Sequence, residues 1–283
     1  MKMKKVLAMA AACAMMIGMT ACSGASSGGG AEGTGLSGSV ATGGSTSVEK
    51  VIGALSEAFM EADGQVTVTY DPTGSGAGVT GAADGTLDIG LSSRNLKDSE
   101  LEQGLQETVF ALDGIAIVVN QENTVEDLTM EQIAQLATGE ITNWSEVGGP
   151  DMPVVLVGRE AGSGTRDGFE SVVGVEDVCA YEQELTSTGA VKAAVAANPN
   201  AFGYISLASV DEDTKVVTVD GIVPSEETVK DGSYKIQRPF VFVTKADKEL
   251  KPEAQAFFDF ALSEDAADLI RAAGAVPVVS AEG

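Results

Sequence analysis

A glycine-rich turn at residues 158–166, Gly-Arg-Glu-Ala-Gly-Ser-Gly-Thr-Arg, limits the fold of this chain more than any other segment. It follows a β-branched run and precedes an apolar helical pattern, so it joins a strand to a helix start. The first N–H groups of a helix lack intrahelical partners and lie at the positive end of its dipole. Gly164 permits close backbone approach, while the Ser163 and Thr165 hydroxyls add donors. Arg159 offers a forked pair of N–H groups to an oxyanion.

This turn predicts an anion site, although taken alone it is equally consistent with a tight turn and a capped helix. The phosphate loop of nucleotide-binding enzymes is excluded, because that motif requires a lysine after its last glycine and none lies in this turn.

Three further turns place hydroxyls or glycines at the end of a strand or the start of a helix. They are Ser45-Thr46-Ser47, Gly74-Ser75 and Ser92-Ser93-Arg94. Because ligands of open α/β sheets bind beyond the carboxyl ends of strands, we expect the four turns to converge. At residues 45–47, simple capping of the following helix fits the sequence as well as ligand contact does.

Strand and helix patterns alternate along the body of the chain. Predicted strands lie at 65–70, 87–91, 114–120, 154–157, 202–205 and 238–243, and predicted helices at 48–59, 75–83, 128–137, 187–198, 252–262 and 264–273. This alternation predicts an α/β fold with a mostly parallel sheet. We expect Trp144 to pack in a core and Gly139 to end a helix.

The composition excludes several classes of function. The formal charge is −25, with 42 acidic and 17 basic residues, which argues against nucleic acid as a partner. A local array of N–H donors can nevertheless bind an anion. The chain has no histidine, so it has no imidazole base, no His-containing triad and no His metal site. We expect no cofactor, no metal and a structural, unpaired Cys179.

The N-terminus predicts export. Residues 1–21 combine lysines with an apolar run and small residues, as a signal peptide does. Cys22 follows in a context that resembles a bacterial lipobox, the alternative being an ordinary cleaved signal with a chance cysteine. Residues 22–38 are rich in glycine and serine and predict a flexible, lipid-anchored tether. We therefore expect the protein on the extracytoplasmic face of a bacterial cell membrane.

Taken together, the motifs resemble the PstS family of phosphate-binding lipoproteins of bacterial ABC transporters, across essentially the whole mature body. The carriers are residues 158–165, Gly74-Ser75 with residues 88–93, residues 138–144 and residues 202–205. The resemblance implies a type II periplasmic-binding-protein fold that is not an enzyme. It would be a monomer that captures inorganic phosphate and delivers it to a membrane permease.

The resemblance also implies site residues and a domain plan. Thr46 and Ser75 would bind phosphate from one lobe, with Ser47 supplying a backbone N–H. Arg159, Ser163, Gly164 and Thr165 would bind it from the other lobe. Lobe one would comprise 36–112 plus 240–283 and lobe two 113–239. The chain would cross between the lobes near Asp113 and Arg238, and closure around the ligand would be productive.

The chain departs from the family at Ser93, where known members have an aspartate that accepts the proton of hydrogen phosphate. Sulfate carries no such proton, so the usual rejection of sulfate is in question here. Ser93 is itself a candidate phosphate-binding residue, because its hydroxyl can accept a hydrogen bond or rotate to donate one. Glu160 and Asp113 are alternative carboxylates. Ser45, Arg94 and Glu160 are weaker site candidates, and the structural alternative is that Ser93 caps the next segment while Arg94 pairs with Asp98.

The sequence is also consistent with two other functions. The same turns suit a binding protein for sulfate, molybdate or a phosphonate. The predicted anchor and the acidic charge also suit a surface-anchored phosphatase or adhesin.

Overall fold

A mixed sheet of eleven strands organises the fold in the computed structural model, which describes residues 35–278. The strands of this range are β1 (Gly38–Gly44), β2 (Val66–Asp71), β3 (Ile89–Ser92), β4 (Leu105–Val119), β5 (Asp127–Leu128), β6 (Val155–Arg159), β7 (Gln183–Leu185), β8 (Ala201–Ser206), β9 (Lys215–Val219), β10 (Gln237–Lys245) and β11 (Val276–Pro277). The main path through the sheet is β2-β1-β3-β10-β4-β8-β6-β7. β11 and β9 also pair with β4, and β5 pairs with β9.

Helices cover the sheet. They are α1 (Glu49–Ala62), α2 (Ser75–Asp84), α3 (Asp98–Leu101), α4 (Met130–Thr138), α5 (Gly164–Val173), α6 (Thr188–Ala197), α7 (Glu226–Lys230), α8 (Pro252–Ala261) and α9 (Glu264–Ala272). Short 3-10 turns lie at Thr46–Val48, Trp144–Val147 and Leu207–Ser209. Within residues 35–278, the helices are too short or too polar to cross a bilayer.

The α/β class is as predicted, but the sheet is mixed instead of mostly parallel. β1 lies parallel to β2 and β3, and β6 lies parallel to β7 and β8. Between these groups, β10 pairs antiparallel with β3 and β4, and β4 pairs antiparallel with β8. In the region of β4, the sequence pattern predicted a strand only at 114–120. β4 in fact begins at Leu105, and β10 returns along it.

The apolar side chains form two main clusters, here called core one and core two. The buried members of core one come from residues 40–111 and 240–275. Those of core two come from 115–236, together with Val276. Smaller clusters cover the opposite face of the sheet in each half, so residues 115–119 of β4 are buried on both faces, as predicted.

Several local predictions are confirmed. Gly139 ends α4 with a φ of 75°, in the left-handed region that glycine favours. Trp144 is fully buried in core two, and its indole N–H donates to the carbonyl of Asn200 over 2.9 Å. Cys179 forms no disulfide among residues 35–278, but it is half-buried, whereas the sequence predicted a buried cysteine.

Most boundaries differ from the predicted ones by a few residues, and two of these differences assign a residue to another element. Leu128 belongs to β5, so the helix predicted from 128 begins at Met130. Gly38, the last residue of the predicted tether, is already paired in β1, where its N–H donates to Gln65. The predicted signal peptide, Cys22 and the tether before residue 35 lie outside the described residues.

Candidate anion-binding site

The four turns singled out in the sequence do converge, and the start of α6 joins them. The hydroxyls of Ser47 and Thr165 lie 2.7 Å apart. Thr188, the first residue of α6, has its hydroxyl 3.1 Å from those of both Thr46 and Ser47. These contacts join the segment before α1 to the starts of α5 and α6. The three segments can meet because each of these helices begins shortly after a strand of the sheet ends. The result is a buried group of hydroxyls at helix starts.

Arg159 ends β6 and is 2% exposed. Its Nε donates to the carbonyl of Leu185 over 3.1 Å, and Nη2 donates to that of Thr186 over 2.9 Å. Its Nη1 donates to the hydroxyl of Thr46 over 3.0 Å. Two fixed carbonyls therefore hold the guanidinium in one orientation, with Nη1 directed at the buried group of hydroxyls.

The electrostatics of Arg159 favour an anion. Burial lowers the pKa of Arg159 to about 10, and the nearby charge of Arg238 contributes to the same shift. At neutral pH both groups are cationic, since a guanidinium keeps its proton. Two buried cations that repel each other are stabilised when an anion binds between them.

A network behind Arg159 fixes its backbone. Its N–H donates to the hydroxyl of Tyr204 over 3.2 Å, and Tyr204 lies 2.7 Å from the hydroxyl of Tyr181. Tyr181 in turn donates to Glu170 over 2.8 Å. The carbonyl of Arg159 accepts from Arg166 over 3.1 Å. The backbone N–H and carbonyl of Arg159 are therefore both held by side chains, the buried Tyr204 and the half-buried Arg166.

Ser93 links the remaining residues of the site and is fully buried. Its hydroxyl oxygen accepts from Ser45 over 2.8 Å and from Nη1 of Arg238 over 3.2 Å. The hydroxyl of Ser75 lies 3.2 Å away and also accepts the backbone N–H of Ser93 over 3.1 Å. Ser93 is therefore a hub of the site and not an isolated cap.

Arg238 is bound to Asp113 at the point where β10 and β4 pair. The Nη2 and Nε atoms donate to Oδ2 of Asp113 over 3.0 and 3.2 Å, and Ser206 donates to Oδ1 over 2.8 Å. Burial raises the pKa of the Asp113 carboxyl, against the opposing effect of Arg238 and Ser206. The carboxylate is thus occupied by its own partners.

Gly164 is required by packing at the site. A Cβ on this residue would lie 2.4 Å from Oγ of Ser75 and 2.6 Å from Oγ of Ser93. Nearby, the N–H of Gly76 donates to the carbonyl of Gly162 over 2.9 Å. The start of α5 therefore packs directly against the start of α2 and the end of β3.

Two of the weaker candidates do not join the hydroxyl group. Arg94 pairs with Glu100 and with Asp167, each over 2.8 Å, and not with Asp98 as the structural alternative had it. Glu100 takes the place of Asp98 as the partner of Arg94 because its side chain already folds back over the start of α3, where it accepts the N–H of Lys97. The half-buried Glu160 acts on Arg159 through its charge, raising the pKa of that group.

The structure thus brings together nine of the predicted residues. They are Ser45, Thr46, Ser47, Ser75, Ser93, Arg159, Ser163, Gly164 and Thr165, with Ser163 as the N-cap that accepts from Arg166. Thr188 and Arg238 were missed. Thr188 carried the same helix-start signal as the others, whereas nothing local marked Arg238. Among residues 35–278, no group of acidic, Cys or His side chains is placed to hold a metal ion.

Comparisons with known proteins agree on one family. Residues 29–265 match the model described as PBP superfamily domain. The chain is 30% identical to the phosphate-binding protein PstS of Borreliella burgdorferi, over 83% of this chain and 88% of the relative.

Solved structures give the same result. A Clostridium perfringens structure described as a phosphate ABC transporter substrate-binding protein with bound phosphate is 41% identical, with a TM-score of 0.83. The match covers 86% of this chain and all of that one (100%). An ABC-type phosphate transport receptor of Vibrio cholerae is 36% identical with a TM-score of 0.69, over 84% of this chain and 99% of that one.

Proposed function

The chain belongs to the PBP superfamily and, within it, to the PstS family of phosphate-binding proteins, and we propose on that basis that it captures inorganic phosphate for an ABC transporter. It is a substrate-binding protein and not an enzyme. The observation that carries this function is the buried group of hydroxyls around Nη1 of Arg159, each hydroxyl residue being no more than 4% exposed. A tetrahedral oxyanion needs donors from several directions, and this group supplies them.

The hydroxyls bind the anion by turning. Those of Thr46, Ser47, Thr165 and Thr188 bond to one another over 2.7–3.1 Å. A hydroxyl carries one rotatable O–H, so each can redirect its proton to an anion oxygen. Arg159 then supplies the compensating charge, and its fixed orientation reduces the entropy lost on binding.

We also propose the two-lobed division, with lobe one at 36–112 plus 240–283 and lobe two at 113–239. Core one and core two follow nearly the same division. The hydroxyl contacts of Thr46 with Thr188 and of Ser47 with Thr165 would join the lobes. Bending near Asp113 and Arg238 would separate them, and ligand binding would favour closure. We also propose that the protein acts as a monomer.

Phosphate is expected to stabilise the protein against heat. Ligand at ten times Kd adds about 1.4 kcal/mol to the free energy of unfolding by mass action. For a domain of this size the melting temperature should rise by roughly 3–6 °C. Differential scanning fluorimetry with phosphate, sulfate, molybdate and a phosphonate measures this directly. A rise with one of the other anions and none with phosphate would assign a different oxyanion as the ligand.

We propose that the protein is anchored through a lipid on Cys22, facing out of a bacterial cell. Replacement of Cys22 by serine should move the protein from the membrane fraction to the soluble fraction, because each buried methylene of a lipid contributes about 0.8 kcal/mol to membrane binding. Fractionation followed by immunoblotting checks this.

The matched control for this anchor is Cys13→Ser, within the predicted signal. It should leave the protein in the membrane fraction. Retention of the Cys22→Ser variant at the membrane would indicate a different anchor.

A further inference from the structure

We infer that Arg238 is a further anion-recognition residue, which holds Ser93 as a hydrogen-bond donor and so makes the site select fully ionised tetrahedral oxyanions by charge. This inference rests on the proposed function of the same site. It concerns which ionic forms the site prefers and how far it rejects sulfate.

The geometry fixes the direction of the hydrogen bonds at Ser93. Arg238 has donors only, so the Ser93 oxygen must accept from its Nη1, 3.2 Å away. The same oxygen accepts from Ser45 over 2.8 Å. A hydroxyl has two acceptor positions, and both are then used. The proton of Ser93 remains, and it can only be donated. In this structure its acceptor is the hydroxyl of Ser75, 3.2 Å away, and an anion bound beside Ser93 would take the place of that acceptor.

Asp113 does not compensate as an acceptor. Asp113 contacts Arg238, the partner of Ser93, and its two carboxylate oxygens accept hydrogen bonds from Arg238 and Ser206. The side chains of Asp113 and Arg238 are 0% and 2% exposed. Such a pair is costly to open, so the carboxylate stays on the far side of the guanidinium.

The charges around Arg238 point the same way. Burial lowers the pKa of Arg238, against the opposing effect of the charges of Asp113 on β4 and Tyr204 on β8. Arg238 in turn lowers the pKa of Arg159 on β6. Its guanidinium carbon lies 5.6 Å from the centroid of the Phe240 ring. Burial raises the pKa of Tyr204 well above its ordinary value, so this group stays neutral in the range tested below. Arg238 therefore places a positive charge beside Ser93, whose hydroxyl can only donate to a ligand.

A site of this kind has no free acceptor for a proton on the ligand, so a hydrogen bond cannot distinguish hydrogen phosphate from sulfate. A site built to hydrogen-bond a substrate hydroxyl rejects the analogue that lacks it by roughly 10⁴–10⁵. Here that acceptor is replaced by a donor, so sulfate should bind within about a hundredfold of phosphate at pH 8. Phosphate should gain up to about tenfold in affinity relative to sulfate between pH 5 and pH 8, as it loses its second proton (pKa about 6 in phosphate esters).

The experiment is calorimetric titration of the full chain with phosphate and with sulfate at pH 5, 6.5 and 8. Sulfate does not titrate in this range, so its affinity reports changes in the protein, and the ratio of the two affinities reports the ligand proton. Phosphate binding with no sulfate binding even at a 10⁴-fold weaker level, or a ratio independent of pH, would overturn the inference and leave the proposed function intact. Sulfate binding without phosphate binding would overturn the proposed function alone, and no binding of either anion would overturn both.

Variants then assign the effect to Arg238. Because removal of one partner of a buried pair leaves an uncompensated charge, Arg238→Gln is made together with Asp113→Asn. This double variant should bind both anions at least about tenfold more weakly, like loss of one good charged contact. Ser93→Asp, which restores a carboxylate, should increase discrimination against sulfate. Arg271→Gln removes a cation outside the site and should change neither affinity. Wild-type affinities in a folded double variant would overturn the role of Arg238.

Discussion

Arg159→Ala is expected to weaken phosphate binding by about 2–5 kcal/mol, a loss of roughly thirtyfold to several thousandfold in Kd. The reason is that Nη1 of Arg159 is a buried, oriented cation at the hydroxyl group, so its loss leaves the anion without charge compensation. The carbonyls of Leu185 and Thr186 also lose their donor, which should lower the free energy of unfolding by about 1–3 kcal/mol. Calorimetry and thermal melting measure the two effects separately.

The conservative variant Arg159→Lys separates charge from shape. It restores a cation but not the fork that contacts both carbonyls, so it should recover only part of the affinity. Arg271→Ala serves as the control for simple loss of a positive charge, because Arg271 pairs with Asp268 and Glu226 away from the site. Near-wild-type binding in both Arg159 variants would show that residues 158–166 form a structural turn only.

The second large effect is expected at Gly164. A Cβ here would lie 2.4 Å from Oγ of Ser75 and 3.0 Å from the backbone carbon of Ser93. Rotation of the two serine side chains would break their hydrogen bonds and would leave the contact with the Ser93 backbone. Overpacking of this kind costs about 1–3 kcal/mol. Because Ser75 and Ser93 belong to proposed lobe one and Gly164 to lobe two, Gly164→Ala should hinder closure. Phosphate affinity should fall roughly 5–150-fold.

Gly189→Ala is the matched control for this variant. Gly189 occupies the first turn of α6 much as Gly164 occupies the first turn of α5, but an added Cβ would meet nothing within 4 Å. It should leave affinity unchanged. Small-angle scattering of the Gly164→Ala variant with phosphate reports whether closure is impaired. Tight binding together with ordinary compaction would mean that the two turns do not come together in the bound form.

The helix-start residues of the site could be predicted from sequence because their signal is local. A hydroxyl or glycine directly after a strand and before an apolar helix marks Thr46, Ser75 and Thr165 without any knowledge of the fold. Thr188 carried the same signal and was read only as a helix start. The sheet edge at which these turns meet follows from the alternation of strands and helices.

The centre of the sheet could not be predicted in the same way. The first part of β4 mixes polar and apolar residues, so its extent depends on pairing with β10. Arg238 lies within an apolar strand beside Pro239, and its local sequence gives no sign of an anion. Its role depends on Asp113, opposite it in the β4–β10 register but 125 positions away in the chain. Long-range register of this kind is set by tertiary packing, which local patterns do not contain.

The position of β10 between β3 and β4 determines the order in which the chain can fold during its synthesis. Core two is built almost entirely from 115–236, so its residues are available once that stretch has been made. Core one needs Phe240, Phe242 and Phe257, which come from the last part of the chain, to pack against side chains made at its beginning. Contacts between such distant segments form slowly, since a long loop must close first. Core one is therefore completed only when synthesis is nearly finished. Residues 40–111 cannot complete core one until then, which is compatible with passage of the new chain through a membrane before it folds.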